Sequence, residues 1–284
     1  MTRNALRAAL ALAASATLIL WLGQCTDIDL RLADMVYDRA RSAFPLREAW
    51  FAEQFNHVIL KAVLACMACG TVLLALRDAW RPYLHWAPER RLGMRVLAMS
   101  ALGVPLATSL LKQASSSHCP WDLERYGGTA PYIRLFEWMP SAVPPGHCLP
   151  GGHASSALWL VGLAAFWWPR QPRTAIATGG AMLLFGVGVG WVQQLRGAHF
   201  LTHTLWSAWI ACAITIANYS LAKRSYIRYS SVPRNAPQTK LQSEARKEGV
   251  DELHAVPHNL ASLLLTNTTL RQTNKQRSLK INSR

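Results

Sequence analysis

Six apolar runs separated by polar connectors constrain this chain more than any other feature. They fall at about 8–22, 58–76, 96–111, 154–168, 176–192 and 204–221. Each is close to the length that carries a helix across a bilayer, and a spanning segment with no partner strands must satisfy its backbone internally as a helix. The expected fold is therefore all-α, a polytopic membrane protein built as a six-transmembrane-helix bundle. The first run is short for a span, but no Ala-x-Ala site follows it and Gln24 precedes Cys25 where lipoprotein cleavage needs a small residue. An uncleaved first helix fits better.

Charge sets the orientation. The formal net charge of +15 lies mainly in connectors, as Arg77, Arg81, Arg90, Arg91 and Arg95, then Arg170 and Arg173, then Lys223 and Arg224, and in the basic tail. No folded face interleaves these cations with aromatics, so nucleic acid is not an expected partner. The positive-inside rule accounts for them instead and places both termini in the cytoplasm. The expected organisation is a membrane domain over 1–224 and a basic, mostly disordered cytoplasmic tail over 225–284 that rests on anionic lipid.

Two other patterns carry less. Cys66-Met-Ala-Cys69 has the spacing of a redox or metal pair, but it lies mid-span without a nearby His or acid, and reads as small residues at a helix contact. Gly186-Val-Gly-Val-Gly190 lacks the strand before it and the Lys after it that a phosphate loop needs, and reads as close helix packing.

Three polar clusters arrive on the opposite, extracytoplasmic face. They are Lys112 with His118-Cys-Pro-Trp-Asp122, then Pro150-Gly-Gly-His153, then Arg196-Gly-Ala-His199 with His203. Cations neutralise phosphate oxygens. The amides of Gly151 and Gly152 at a helix start add an anion site. Two imidazoles supply a nucleophile and a proton donor. With no Asp/Glu cluster beside them, neither a metal nor another cofactor is required.

These motifs resemble the type 2 phosphatidic acid phosphatase superfamily of membrane lipid phosphatases. Its pattern is Lys, six residues, Arg-Pro; then Pro-Ser-Gly-His; then Arg, five residues, His, three residues, Asp. Here Lys112 precedes Cys119-Pro120 at that distance, Pro150-Gly-Gly-His153 has Gly for Ser, and Gly-Ala-His199-Phe is a common form of the third motif. The resemblance covers about 112–206. It implies that His199 is a nucleophile forming a phosphohistidine, that His153 protonates the leaving alcohol, and that Lys112 and an Arg hold the phosphate. It also implies a lipid phosphate substrate and a site facing the periplasm of a bacterial-type inner membrane.

Three positions depart from the pattern. Cys119 stands for the first Arg, Gln193 for the third-motif Arg (with Arg196 three residues later), and His203 for the Asp that orients the nucleophile. Asp122 or Glu124 is a candidate substitute orienter. Cys119 and Cys148 share the one long loop on the oxidising face, so a disulfide between them is expected. The alternative is two free thiols packed in that loop. The function this implies is metal-independent hydrolysis or transfer of a lipid phosphomonoester or diphosphate. The rival is a catalytically impaired homologue that binds or moves phospholipid. A small transporter is disfavoured because no ionisable residue occupies a mid-span position.

Overall fold

A computed structural model describes residues 3–231, with side chains through Arg224. Among the described residues every regular element is helical; pairing of extended chain is limited to isolated bridges, Asp38 with Ala43 and Leu123 with Ala130. The elements are α1 (Arg3–Cys25), α2 (Ile28–Val36), α3 (Phe51–Trp80), α4 (Pro88–Gln113), α5 (Gly152–Phe166), α6 (Pro172–Leu195) and α7 (Leu201–Ser231). Residues 232–284, most of the expected tail, lie outside the described residues.

Five of these helices, α1, α3, α4, α6 and α7, are long and apolar enough to span a membrane. The fourth expected span is the exception. α5 makes ordinary α-helix only over Gly152–Leu158, then tightens into 3-10 winding over Trp159–Phe166. A 3-10 turn rises further per residue than an α turn, so the fifteen-residue segment reaches about 26 Å. That is close to the roughly 30 Å hydrocarbon core. Other boundaries run past their apolar runs. α3 begins at Phe51, inside the expected polar loop; α4 begins at Pro88, inside the expected basic connector, because Pro at a helix start loses no hydrogen bond.

The core sits where α5 is wrapped by α3, α4, α6 and α7, with Leu64, Leu97, Val104, Leu158, Trp159 and Val189 buried together. On α3 the packed stripe is Leu60, Leu64, Ala68 and Val72, one residue per turn. Cys66 and Cys69 lie off that stripe and are exposed, which corrects the reading that they mark a helix contact. The glycines of α6 do pack closely. A Cβ at Gly186 would meet Leu158 Cδ2 at 2.5 Å, and one at Gly190 would meet Thr204 Cγ2 at 2.5 Å and Ala154 Cβ at 3.1 Å. Gly190→Leu is therefore expected to destabilise the bundle by about 1–3 kcal/mol, read as a lowered midpoint of thermal unfolding in detergent.

Buried polar groups pair across the same helices. Asn218 Nδ2 donates to Ser100 Oγ at 3.2 Å, and Ser100 lies 3.5 Å from Thr215 Oγ1, tying α4 to α7. By contrast Leu10, Leu18 and Trp21 of α1 and Leu73, Leu74 and Leu76 of α3 are exposed. Apolar exposure along a spanning helix is a lipid-facing surface rather than an error of burial.

Succession of antiparallel helices sorts the ends. The basic residues from Arg77 to Arg95, with Arg170, Arg173 and Lys223, fall at one end, where buried Asp78 accepts from the Tyr83 amide at 2.9 Å and pairs with Arg91 at 3.4 Å. The start of α3, the end of α4, the start of α5, the end of α6 and the start of α7 meet at the other. There α2 is tied to the long loop by Arg125, which donates to both Asp34 oxygens at 2.8 and 2.6 Å. That guanidinium holds the Asp34 carboxyl below its ordinary range.

Candidate active site

Four imidazoles line up at this second end. His57 and His153 have ring centroids 4.2 Å apart, His153 and His199 6.1 Å, and His199 and His203 5.8 Å. They come from four places: the start of α3, the first turn of α5, the α6–α7 turn, and the first turn of α7. Both ring nitrogens of His153 are shielded from solvent and have no hydrogen-bond partner among the described residues. Buried polar atoms left in that condition are rare and point to a ligand-facing role.

The α6–α7 turn is built to present His199. Gly197 sits at φ 74°, the left-handed region that glycine enters without strain, and reverses the chain behind Arg196. The Gly197 carbonyl accepts from the Trp121 amide at 3.0 Å, pinning the turn to the first motif loop. His199 is 3% exposed. Burial pushes its imidazole well below the ordinary range, and the charges of His203 and Lys112 act in the same direction.

Arg196 is held on several sides. Its Nε donates to the Arg47 carbonyl at 3.0 Å, and its Nη1 donates to Gln193 Oε1 at 3.0 Å and to His57 Nδ1 at 3.2 Å. Glu53 lies 3.9 Å from Nη2. A guanidinium has only donors, so His57 must accept at Nδ1 and is neutral with its proton on Nε2. Gln193, in the place of the motif Arg, donates to Asn56 Oδ1 at 2.7 Å and so links α3 to Arg196. The Arg196 cation is thus a fixed member of a network rather than a free arm, with Nη2 its least engaged nitrogen.

His57, Glu53 and Asn56 were invisible to motif reasoning. They come from Phe51–Leu60, the π-helical opening of α3, a winding that recurs at functional sites. The one available signal was topological, because the start of the second span must lie on the same face as the other motifs.

Other expected site residues land differently. The Gly151 amide donates to the His203 carbonyl at 3.0 Å, and Ser207 Oγ donates to the Gly151 carbonyl at 3.0 Å. Gly151 therefore locks α5 to α7 instead of offering its amide to an anion. Gly152 has open space where a side chain would stand. Among the described residues His203 makes no hydrogen bond to His199, and its Nδ1 is buried without a partner. Asp122 does not reach His199 either; its carboxylate accepts from the Cys119 amide at 3.3 Å.

Cys119 and Cys148 are joined by a disulfide with Cα atoms 5.4 Å apart. The arms it joins also pair along their backbones, with Gly146 and Cys148 donating to the carbonyls of Ser116 and Ser117 at 3.0 and 2.9 Å. Cys119, Cys148 and His199 cluster at metal-ligand spacing. Bonded to each other, however, the two sulfurs are not thiolates, which is the form that binds metals.

A row of four histidines, with Arg196 bonded to its first member, thus stands at one end of a bundle of apolar helices. The family model of the PAP2 superfamily matches residues 93–227, the stretch that carries all three motifs. No curated protein and no solved structure matched the chain. The superfamily generally hydrolyses phosphate esters, and with the apolar helices this supports a multi-pass membrane protein with a phosphatase-type role. His57 and its neighbours on α3 lie outside the matched residues.

Proposed function

We propose that this chain is a metal-independent lipid phosphatase of a bacterial-type inner membrane, with both termini cytoplasmic and the histidine row facing the periplasm. Its substrates are lipid phosphomonoesters or diphosphates. The observation that carries the reading is the shielded, unpartnered His153 ring between His199 on one side and the His57–Arg196 pair on the other. With ring centroids 6.1 Å apart, His153 and His199 are close enough to act on the same phosphoryl group from two sides.

His199 attacks phosphorus, forming the phosphorus–nitrogen bond as the ester phosphorus–oxygen bond breaks. His153, entering the step as an imidazolium paired with the bound phosphate anion, gives its proton to the departing oxygen and is left neutral. Neutral His153 then takes a proton from water, which displaces His199 and releases inorganic phosphate. Lys112 and Arg196 stabilise charge on the non-bridging oxygens through both steps. No step requires a metal or cofactor.

A second reading, an impaired homologue that binds or moves phospholipid, is favoured by one feature: the position of the orienting Asp holds His203, whose Nδ1 has no partner. The test is phosphate release by purified protein from a panel of lipid phosphates. Release is expected to survive chelator and to be inhibited by vanadate, which mimics five-coordinate phosphorus. Loss in chelator with recovery on adding Mg²⁺ or Zn²⁺ overturns metal independence. Binding of the lipids with no phosphate released selects the second reading.

A further inference from the structure

We infer that the Cys119–Cys148 disulfide is the positioning group for His199, doing the orienting that a carboxylate does in the motif this chain departs from. The inference rests on the proposed phosphatase reading for its catalytic meaning, but the contact itself is structural. Cys148 Sγ lies 3.4 Å from His199 Nδ1 and 3.2 Å from the Ala198 carbonyl oxygen. Cys148 is fully buried. The Asp122 carboxylate is held by the Cys119 amide; the other acceptor at the His199 ring is the carbonyl of Cys148 itself, carried by the same disulfide-tied residue.

The chemistry follows from what a disulfide sulfur lacks. It carries no hydrogen, so in this contact it can only accept, and the hydrogen must sit on His199 Nδ1. The lone pair is then on Nε2, the nitrogen left for attack on phosphorus. A hydrogen bond at one imidazole nitrogen fixes the role of the other. A free thiol at residue 148 would differ, because its S–H can be given to Nδ1. The proton of the neutral ring would then sit on Nε2 and the lone pair would face the sulfur. Closing the disulfide removes that alternative and also holds the first motif loop against the turn bearing His199. Sulfur is a weak acceptor without negative charge, so it selects a tautomer without stabilising an imidazolium as a carboxylate would.

The experiment combines a spectroscopic and a kinetic readout on full-length protein in detergent. Nitrogen-15 shifts of the His199 ring, assigned by comparison with His199→Gln, report the tautomer directly. The oxidised wild type is expected to show Nδ1–H. The Cys119→Ala/Cys148→Ala variant is expected to show a mixture of tautomers, with kcat lowered about 10²-fold by the misplaced ring and KM little changed. Adding His203→Asp to that variant is expected to restore both the tautomer and most of kcat, since it returns an acceptor to the motif position.

A wild-type ring carrying its proton on Nε2 overturns the inference, and this needs no variant to fold. So does a folded double variant with wild-type kcat and tautomer. If the wild type releases no phosphate from any lipid tested, the phosphatase reading fails. The ring shifts still decide the positioning claim.

Discussion

His199→Ala is expected to remove turnover almost entirely, by about 10⁴-fold or more, since loss of a nucleophile leaves only what binding and charge stabilisation supply. The accompanying signature is loss of an acid-labile phosphoenzyme from rapidly quenched reactions. His153→Ala differs in kind: the phosphoenzyme should still form, but slowly, and most slowly for substrates with poor leaving groups. A phosphoenzyme persisting in His199→Ala places the nucleophile elsewhere. The pH profile carries the same assignment. Attack needs the neutral ring, and burial lowers the pKa of His199. Falling pH therefore has to pass below the ordinary imidazole value of about 6.5 before the nucleophile is lost. The acid limb of kcat/KM is expected below that value, and an acid limb above it assigns the titration to another group.

Arg196→Ala is expected to lower kcat/KM by about 10²–10³-fold, the range for removing one fixed donor to developing charge. Two losses coincide in it. The phosphate loses a cation, and Gln193 Oε1, His57 Nδ1 and the Arg47 carbonyl lose their donor. Arg196→Lys is expected to recover little, because one ammonium cannot meet the directions that the guanidinium fork spans. Wild-type kcat/KM in Arg196→Lys would show that Arg196 supplies charge alone. Steady-state kinetics paired with thermal unfolding separate the catalytic loss from the structural one.

Much of the bundle was legible because lipid solvation imposes long apolar runs, and the basic connectors mark the end opposite the histidines. Helix limits were not legible for the same reason. α3 and α4 extend into polar residues that the protein interior and the membrane interface satisfy, and hydropathy stops at the apolar edge. The tightening of α5 at Trp159 has no turn residue to announce it. At the site, Lys112, His153 and His199 were found because they stand in spaced motifs. His57 was not, because it is a single His in a polar stretch and its partner Arg196 lies far along the chain. The fate of Gly151 was equally hidden. Whether a glycine amide faces a ligand or a neighbouring carbonyl depends on how α5 docks on α7, and the local sequence is the same in both cases.

The contact between His57 and His153 also sets a depth. His57 is the seventh residue of α3, so α5 begins more than one helical turn inward from the point where α3 begins. On the proposed membrane placement, with the start of α3 at the headgroup plane, a phosphate that reaches His153 lies below the level of Phe51 and Glu53. For the proposed chemistry, that descent acts as a gauge. A phosphate at the free tip of a headgroup can make it unaccompanied, while one esterified on both sides has to bring its second substituent down as well. The protein would then distinguish monoesters and diphosphates from the far more abundant diesters around it by how far a phosphate can be lowered.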